Sequence, residues 1–205
     1  GTIGGDPDDE NGQVESSMCV VDTPLRRLTR FEYDNTVRDL LGDDTHPASA
    51  FPPEAEVQGF DNQAAALTAS DLLIEQYLKA AEGISERATA DMTKLMQDCD
   101  PNSDGEAVCA GAFIESFGKR AFRRPLTPEE IARYQALYDF AKADPDMGTF
   151  RDGVTLVIQA MLQSSQFLYR PEFGETTPID VDVVRLTHWE MASKLSYMIW
   201  NTMPD

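Results

Sequence analysis

The chain has 205 residues, is 41% hydrophobic, and carries a formal net charge of -19 from 17 basic and 36 acidic side chains. That length suits one good-sized domain or two small helical ones, and 10 Phe, 6 Tyr and 2 Trp can fill a core. The charge argues against nucleic acid and anionic lipid as partners, and no apolar run reaches the ~20 residues that a spanning helix needs.

Residues 1–19 are small, polar and acidic, without apolar periodicity, and predict a flexible leash. Thr29-Arg30-Phe31-Glu32 opens the first predicted helix. The Thr oxygen caps the first turn and the Glu reaches back to the Thr N–H. Tyr33, Val37, Leu40 and Leu41 share one face of that helix, and Gly42 ends it. A Pro- and Ala-rich loop runs from Asp43 to about Ala69 and is long for an unstructured connection.

Ser70 caps a long predicted helix with Leu73, Tyr77, Ala81, Ile84, Ala88, Met92, Leu95 and Met96 at helical spacing. The polar run from Asp98 to Gly105 breaks it. The next helix places Val108, Ala112, Ile114 and Phe117 together, and Pro125 closes the basic connector after it. Thr127-Pro128-Glu129-Glu130 repeats the capping pattern before Ile131, Tyr134, Leu137 and Tyr138. The most apolar helix comes next, with Phe150, Val154, Val157, Ile158, Met161 and Leu162. Residues 176–184 read as an extended loop. Thr187-His188-Trp189-Glu190 opens a last helix bearing Ala192, Leu195, Ile199 and Trp200. Those apolar residues need a partner surface, so the native protein is expected to continue.

The class is therefore all-α: a bundle-like array of about six helices with long irregular loops. The expected organisation is a leash (1–19), a first helical domain (20–98), a second (99–175) and the start of a third (176–205). Cys99 and Cys109 flank a short polar loop and can close a disulfide, which leaves Cys19 over. No Cys-x-x-Cys occurs, so haem attachment and zinc-ribbon spacing are excluded in these residues.

Four phrases carry a family resemblance. They are Arg27-Leu28-Thr29-Arg30-Phe31-Glu32-Tyr33-Asp34-Asn35-Thr36-Val37-Arg38-Asp39-Leu40-Leu41-Gly42, Gly59-Phe60-Asp61-Asn62, Arg120-Ala121-Phe122-Arg123-Arg124-Pro125-Leu126-Thr127, and Arg185-Leu186-Thr187 with Glu190-Met191-Ala192-Ser193-Lys194-Leu195-Ser196-Tyr197 and Met203-Pro204-Asp205. The chain resembles the N-terminal portion of the planctomycete and myxobacterial cytochrome C-type domain family, exported proteins built of helical domains of unknown function. The resemblance implies a c-type haem in a C-terminal part that this chain lacks. It implies that the partner is that remainder or a second processed chain. The Gly1-Thr2-Ile3-Gly4-Gly5 start resembles the stretch after a lipobox cysteine, which implies a lipid anchor upstream and a periplasmic or cell-surface location.

Several groups of residues invite a chemical role. Asp100, Asn102 and Asp104 with Gly105 resemble the first half of a calcium-binding EF-hand loop, but Gly111 stands where the bidentate Glu belongs. Arg120, Arg123 and Arg124 form the densest positive cluster. They are candidates for holding an anion such as a haem propionate or a sugar carboxylate, or else for pairing with structural acids. Arg26, Arg27, Arg30 and Arg38 invite the same readings. His46 and His188 are candidate haem ligands or bases, His188 beside Trp189. Asp34, Asn35, Asp61 and Asn62 can hold a cation or fix the long loop onto the first helix. No residue is assigned to catalysis. The expected function is the helical part of an exported, cytochrome-c-associated redox protein that supports a cofactor or substrate cavity. The alternative is a non-catalytic surface lipoprotein that binds polysaccharide or protein.

Overall fold

A computed structural model describes residues 24–54, 69–96, 99–177, 179 and 183–205. The N-terminal leash, Cys19 and the phrase holding Asp61 and Asn62 lie outside the described residues. In chain order the elements are β1 (Arg26–Arg27), α1 (Arg30–Leu41), a 3-10 turn at Pro47–Ala50, α2 (Asp71–Ala88) and α3 (Met92–Leu95). A π turn at Pro101–Gly105 leads into α4 (Glu106–Ala121), then α5 (Pro128–Ala143), α6 (Phe150–Leu162), α7 (Ser165–Leu168), β2 (Tyr169–Arg170) and α8 (His188–Trp200). The protein is all-α. Among the described residues its one sheet pairs Arg26 with Arg170 and Arg27 with Tyr169, antiparallel.

Capping chemistry sets the helix starts. Thr29, Thr127 and Thr187 each accept from the N–H of the Glu three residues on, and each Glu returns the bond. Thr149 and Asp152 form a fourth such box before α6, unmarked in the sequence because the shorter Asp replaces Glu. Gly42 ends α1 at φ 73°, where its N–H donates to the Arg38 carbonyl.

The core is one cluster to which every long helix contributes. α6 lies at its centre, with Val154, Val157, Ile158, Met161 and Leu162 each 1% exposed or less. Burying a side chain of that size stabilises the fold by about 1.5–3 kcal/mol. α6 packs against α2, α4 and α5. A nest of rings closes the α1 end: Tyr33 lies 5.0 Å from Phe51 and 5.8 Å from Phe167, and Phe51 lies 4.9 Å from Tyr77. The Cys99–Cys109 disulfide is formed and ties the π turn to α4.

Two predicted helices differ in detail. The helix after Ser70 is broken at residue 89, where the Thr89 hydroxyl donates to the Ser85 carbonyl and Asp91 caps a new turn. In α4, Val108 is 63% exposed and Ala112 is exposed; Cys109, Phe113, Ile114 and Phe117 point inward, because Cys109 must face Cys99. In α8 the apolar residues Ala192, Leu195, Ile199 and Trp200, read as needing a partner surface, are exposed, and Ser193 and Tyr197 are the buried positions. A polar seam, not an apolar stripe, attaches α8 to the rest of the protein.

Candidate functional site: a cationic aromatic cleft

That seam borders a cleft of about 390 Å³ between the α4–α5 connector, the segment after β2 and the first half of α8. Phe122, Pro125, Pro171, Phe173 and Trp189 supply apolar walls, and Arg123, Arg124, Arg170 and Lys194 supply charge. Thr127 and Thr187 also line it, so the capped N-termini of α5 and α8 both open onto the same space.

The arginine cluster of the sequence is split by the fold. Arg123 sits at φ 58° and is 5% exposed. Its Nη2 donates to the carbonyls of Gln166 (2.7 Å), Phe167 (3.2 Å) and Tyr169 (2.7 Å), so it holds the end of α7 and β2 in place. Arg124 forks onto Glu130 at 2.9 and 2.8 Å and reaches the Gln166 side chain at 3.1 Å. The Arg124 hydrogen bond holds the Glu130 carboxyl below the usual carboxylate range. Arg120 points elsewhere, donating to the Leu40 and Asp39 carbonyls at the C-terminal end of α1.

Beneath the cleft, Tyr197 is flanked by two guanidinium groups, Arg170 at 4.7 Å and Arg123 at 5.8 Å from its ring. Arg170 also pairs with the buried Glu32 of α1 at 3.2 Å. Burial opposes ionisation of Glu190 in the cleft wall. The N–H groups of Thr187, Gly174 and Phe173 and the Thr187 hydroxyl outweigh it and hold its carboxyl low. Lys194 pairs with Glu172 at 2.6 Å, and the Lys119 ammonium sits 5.2 Å from the Trp189 ring centre.

The remaining sequence candidates fall away from this cleft. His188 is exposed, its ring 6.4 Å from that of Trp189, and does not line the cleft. His46 is 3.6 Å from Asp34 and mostly exposed. Asp34 accepts from the Ala48 N–H at 2.8 Å, and Asn35 donates to the Asn201 carbonyl at 3.1 Å. Both act as fasteners of loop and chain end. Arg27 donates to the Tyr77 hydroxyl, Arg30 to the Ala48 carbonyl, and Arg38 to Asn35 and Asp39.

Asp100 accepts from both the backbone and side-chain N–H groups of Asn102, and Asp104 accepts from the Asp100 N–H. The Asp104 carboxylate also lies within 4.8 Å of the sulfurs of Cys99 and Cys109, which are bonded to each other. A second cavity, of about 510 Å³, lies between the end of α1, α3 and α4, bordered by Arg38, Lys94, Arg120 and the disulfide.

Two stretches of the chain match known domain families. Residues 26–90 match the PSD3 domain, a protein of unknown function (DUF1587). Residues 109–172 match the PSD5 domain, also a protein of unknown function (DUF1595). No curated protein and no solved structure matches the chain. The Glu32–Arg170 pair joins the PSD3 stretch to the PSD5 stretch. α8 lies outside both, yet it supplies Trp189, Glu190, Ser193 and Lys194 to the cleft. The sequence marked Arg123 and Arg124. It carried no sign of Arg170, Phe173, Trp189 or Ser193 as their neighbours, because three separate segments bring them together.

Proposed function

We propose that this chain is the helical support of an exported, cytochrome c-associated redox protein, and that α8 docks the part of the protein bearing a c-type haem. The outer face of α8 carries the reading. Met198, Ile199 and Trp200 are 70%, 59% and 72% exposed, and Met191 and Leu195 are each 44% exposed. Contiguous exposed apolar side chains of this kind, with Trp and Met prominent, mark interaction surfaces. The occupant is the C-terminal remainder of the polypeptide or a second chain processed from it.

The two matched domains of unknown function and the resemblance of their phrases to cytochrome C-type proteins support the haem assignment. The Cys99–Cys109 bridge fits an oxidising compartment, periplasmic or at the cell surface, and an upstream lipid anchor accords with it. No helix of the described residues is long and apolar enough to cross a membrane. The test is the visible spectrum of the matured full-length protein. A Soret band is expected. Its absence overturns the redox reading and favours a non-catalytic surface lipoprotein that uses the same face to bind a polysaccharide or protein.

A further inference from the structure

We propose that Cys99, Cys109 and Asp104 form a zinc site whenever the bridge between the two cysteines is open, so that this corner of the fold holds either a disulfide or a soft divalent metal. The proposal does not depend on the haem reading. The two sulfurs and a carboxylate oxygen of Asp104 all lie within 4.8 Å of one another. Two thiolates and a carboxylate are a donor set that suits Zn²⁺, with water as the fourth ligand. Two Zn–S bonds of about 2.3 Å at a tetrahedral angle hold their sulfurs roughly 3.8 Å apart. The Cα atoms of Cys99 and Cys109 are 5.6 Å apart and Cys99 is only partly buried, so turning its side chain reaches that spacing while α4 stays in place.

The fold aims Asp104 at the pair. It lies in the π turn between the two cysteines, and Gly105 at φ 94° turns the chain from there into α4. The Asp104 N–H donates to the Asp100 carbonyl at 2.8 Å, and its Oδ2 accepts from the Asp100 N–H at 2.9 Å. These bonds fix the carboxylate beside the sulfurs and leave Oδ1 for a metal. No ion pair engages Asp104 among the described residues. Cys109 is 0% exposed, but both cysteines border the cavity of about 510 Å³ at the end of α1, which gives an ion a way in. Arg38, Lys94 and Arg120 line the same cavity and favour thiolate over thiol. A dithiol opens the bridge by exchange. It loses two electrons and two protons and closes to its own disulfide, and Cys99 and Cys109 gain both as thiols. Zn²⁺ then displaces the two thiol protons, and while it is bound the sulfurs are held apart and the bridge cannot close.

The experiment uses this chain with Cys19→Ser, which leaves Cys99 and Cys109 as the only cysteines. The chain is reduced with a phosphine, and Co²⁺ serves as the coloured substitute for Zn²⁺. One Co²⁺ per chain is expected, with a sulfur-to-cobalt charge-transfer band and the strong visible bands of four-coordinate cobalt, all lost on adding one equivalent of Zn²⁺. Zn²⁺ should also raise the Tm of the reduced chain and leave that of the bridged chain unchanged. Asp104→Asn keeps both sulfurs and should weaken Zn²⁺ about tenfold or more while the helical circular dichroism is retained. The proposal is overturned by a reduced chain that gives no charge-transfer band at stoichiometric Co²⁺, by a bridged chain that binds Co²⁺ as tightly, by undiminished Zn²⁺ affinity in Asp104→Asn, or by one metal shared between two chains. If reduction unfolds the chain, Zn²⁺ must restore its helical circular dichroism, and failure to do so equally overturns the proposal.

Discussion

The Tyr197 hydroxyl lies 2.8 Å from the Thr36 hydroxyl, although 161 residues separate them in the chain. This contact fastens α8 to α1 inside the protein. The Thr36 hydroxyl also donates to the Glu32 carbonyl at 2.6 Å, so the Tyr197 hydroxyl is the donor to Thr36. Tyr197→Phe keeps the ring under the two arginines and should cost roughly 1 kcal/mol. Tyr197→Ala empties a buried site and should cost about 3–5 kcal/mol. Urea unfolding midpoints distinguish these values; equal losses in the two variants would show that the ring contributes nothing.

Arg123 should matter more to stability than Arg120, though the sequence presents them as one cluster. Arg123→Met leaves the carbonyls of Gln166, Phe167 and Tyr169 without their shared donor, and a loss of about 3 kcal/mol or more is expected. Arg120→Met removes two partly exposed bonds to the end of α1 and should cost about 1 kcal/mol. Thermal melts of the two variants side by side give the order.

Reducing the Cys99–Cys109 bridge frees a loop with a sequence separation of 10. Loss of that constraint on the unfolded chain should lower stability by about 2–3 kcal/mol. For a chain of this size each kcal/mol corresponds to about 2–4 °C in Tm. A Tm unchanged by a phosphine reductant, with both thiols then titratable, would contradict the expectation.

Gly153→Ala normally favours a helix, but here it should destabilise. A Cβ at this position of α6 would overlap the Tyr138 ring of α5. The expected net loss is about 1–3 kcal/mol, the overpacking outweighing the roughly 1 kcal/mol gain in helix propensity. Gly111 of α4 has open space at the same position, so Gly111→Ala is the control and should stabilise.

Acid should unfold the protein through particular carboxyls. Burial opposes ionisation of Asp43, but the Thr45 hydroxyl and N–H and the Arg87 guanidinium outweigh it and lower its pKa. Glu130 and Glu190 are likewise held low, by Arg124 and by the N–H groups around Thr187. A carboxyl that ionises more readily when folded stabilises above its unfolded pKa, and this is lost as pH falls through the folded value. Stability should therefore hold steady through neutral pH and decline below about pH 4. Glu190→Gln should be less stable at neutral pH and show a shallower acid decline in urea midpoints. A decline as steep as that of the unaltered protein would remove Glu190 from this account.

The helices were legible in the sequence because their signals are local. Thr29, Thr127 and Thr187 with their Glu partners set three starts, Gly42 set an end, and the period of Val154, Val157, Ile158 and Met161 set a core face. Local signals also sufficed for the short-range disulfide. They did not reach the way α8 is attached, because its apolar residues are exposed and its buried positions are Ser193 and Tyr197. Only the fold shows that its attachment runs through Tyr197, Thr36, Arg123 and Arg170, side chains from distant segments whose hydrogen bonds leave no periodic trace.

The cleft divides in the same way. Composition and local pattern establish a strongly acidic, all-α chain with one basic cluster at residues 120–124. They do not say that Arg120 caps α1, that Arg123 and Arg124 turn toward α7 and α5, or that Ser193 and Trp189 of α8 complete the space between them; the packed helices do. Helix formation depends on neighbours three or four residues away. A binding cleft depends on where separate helices end, and packing alone fixes that.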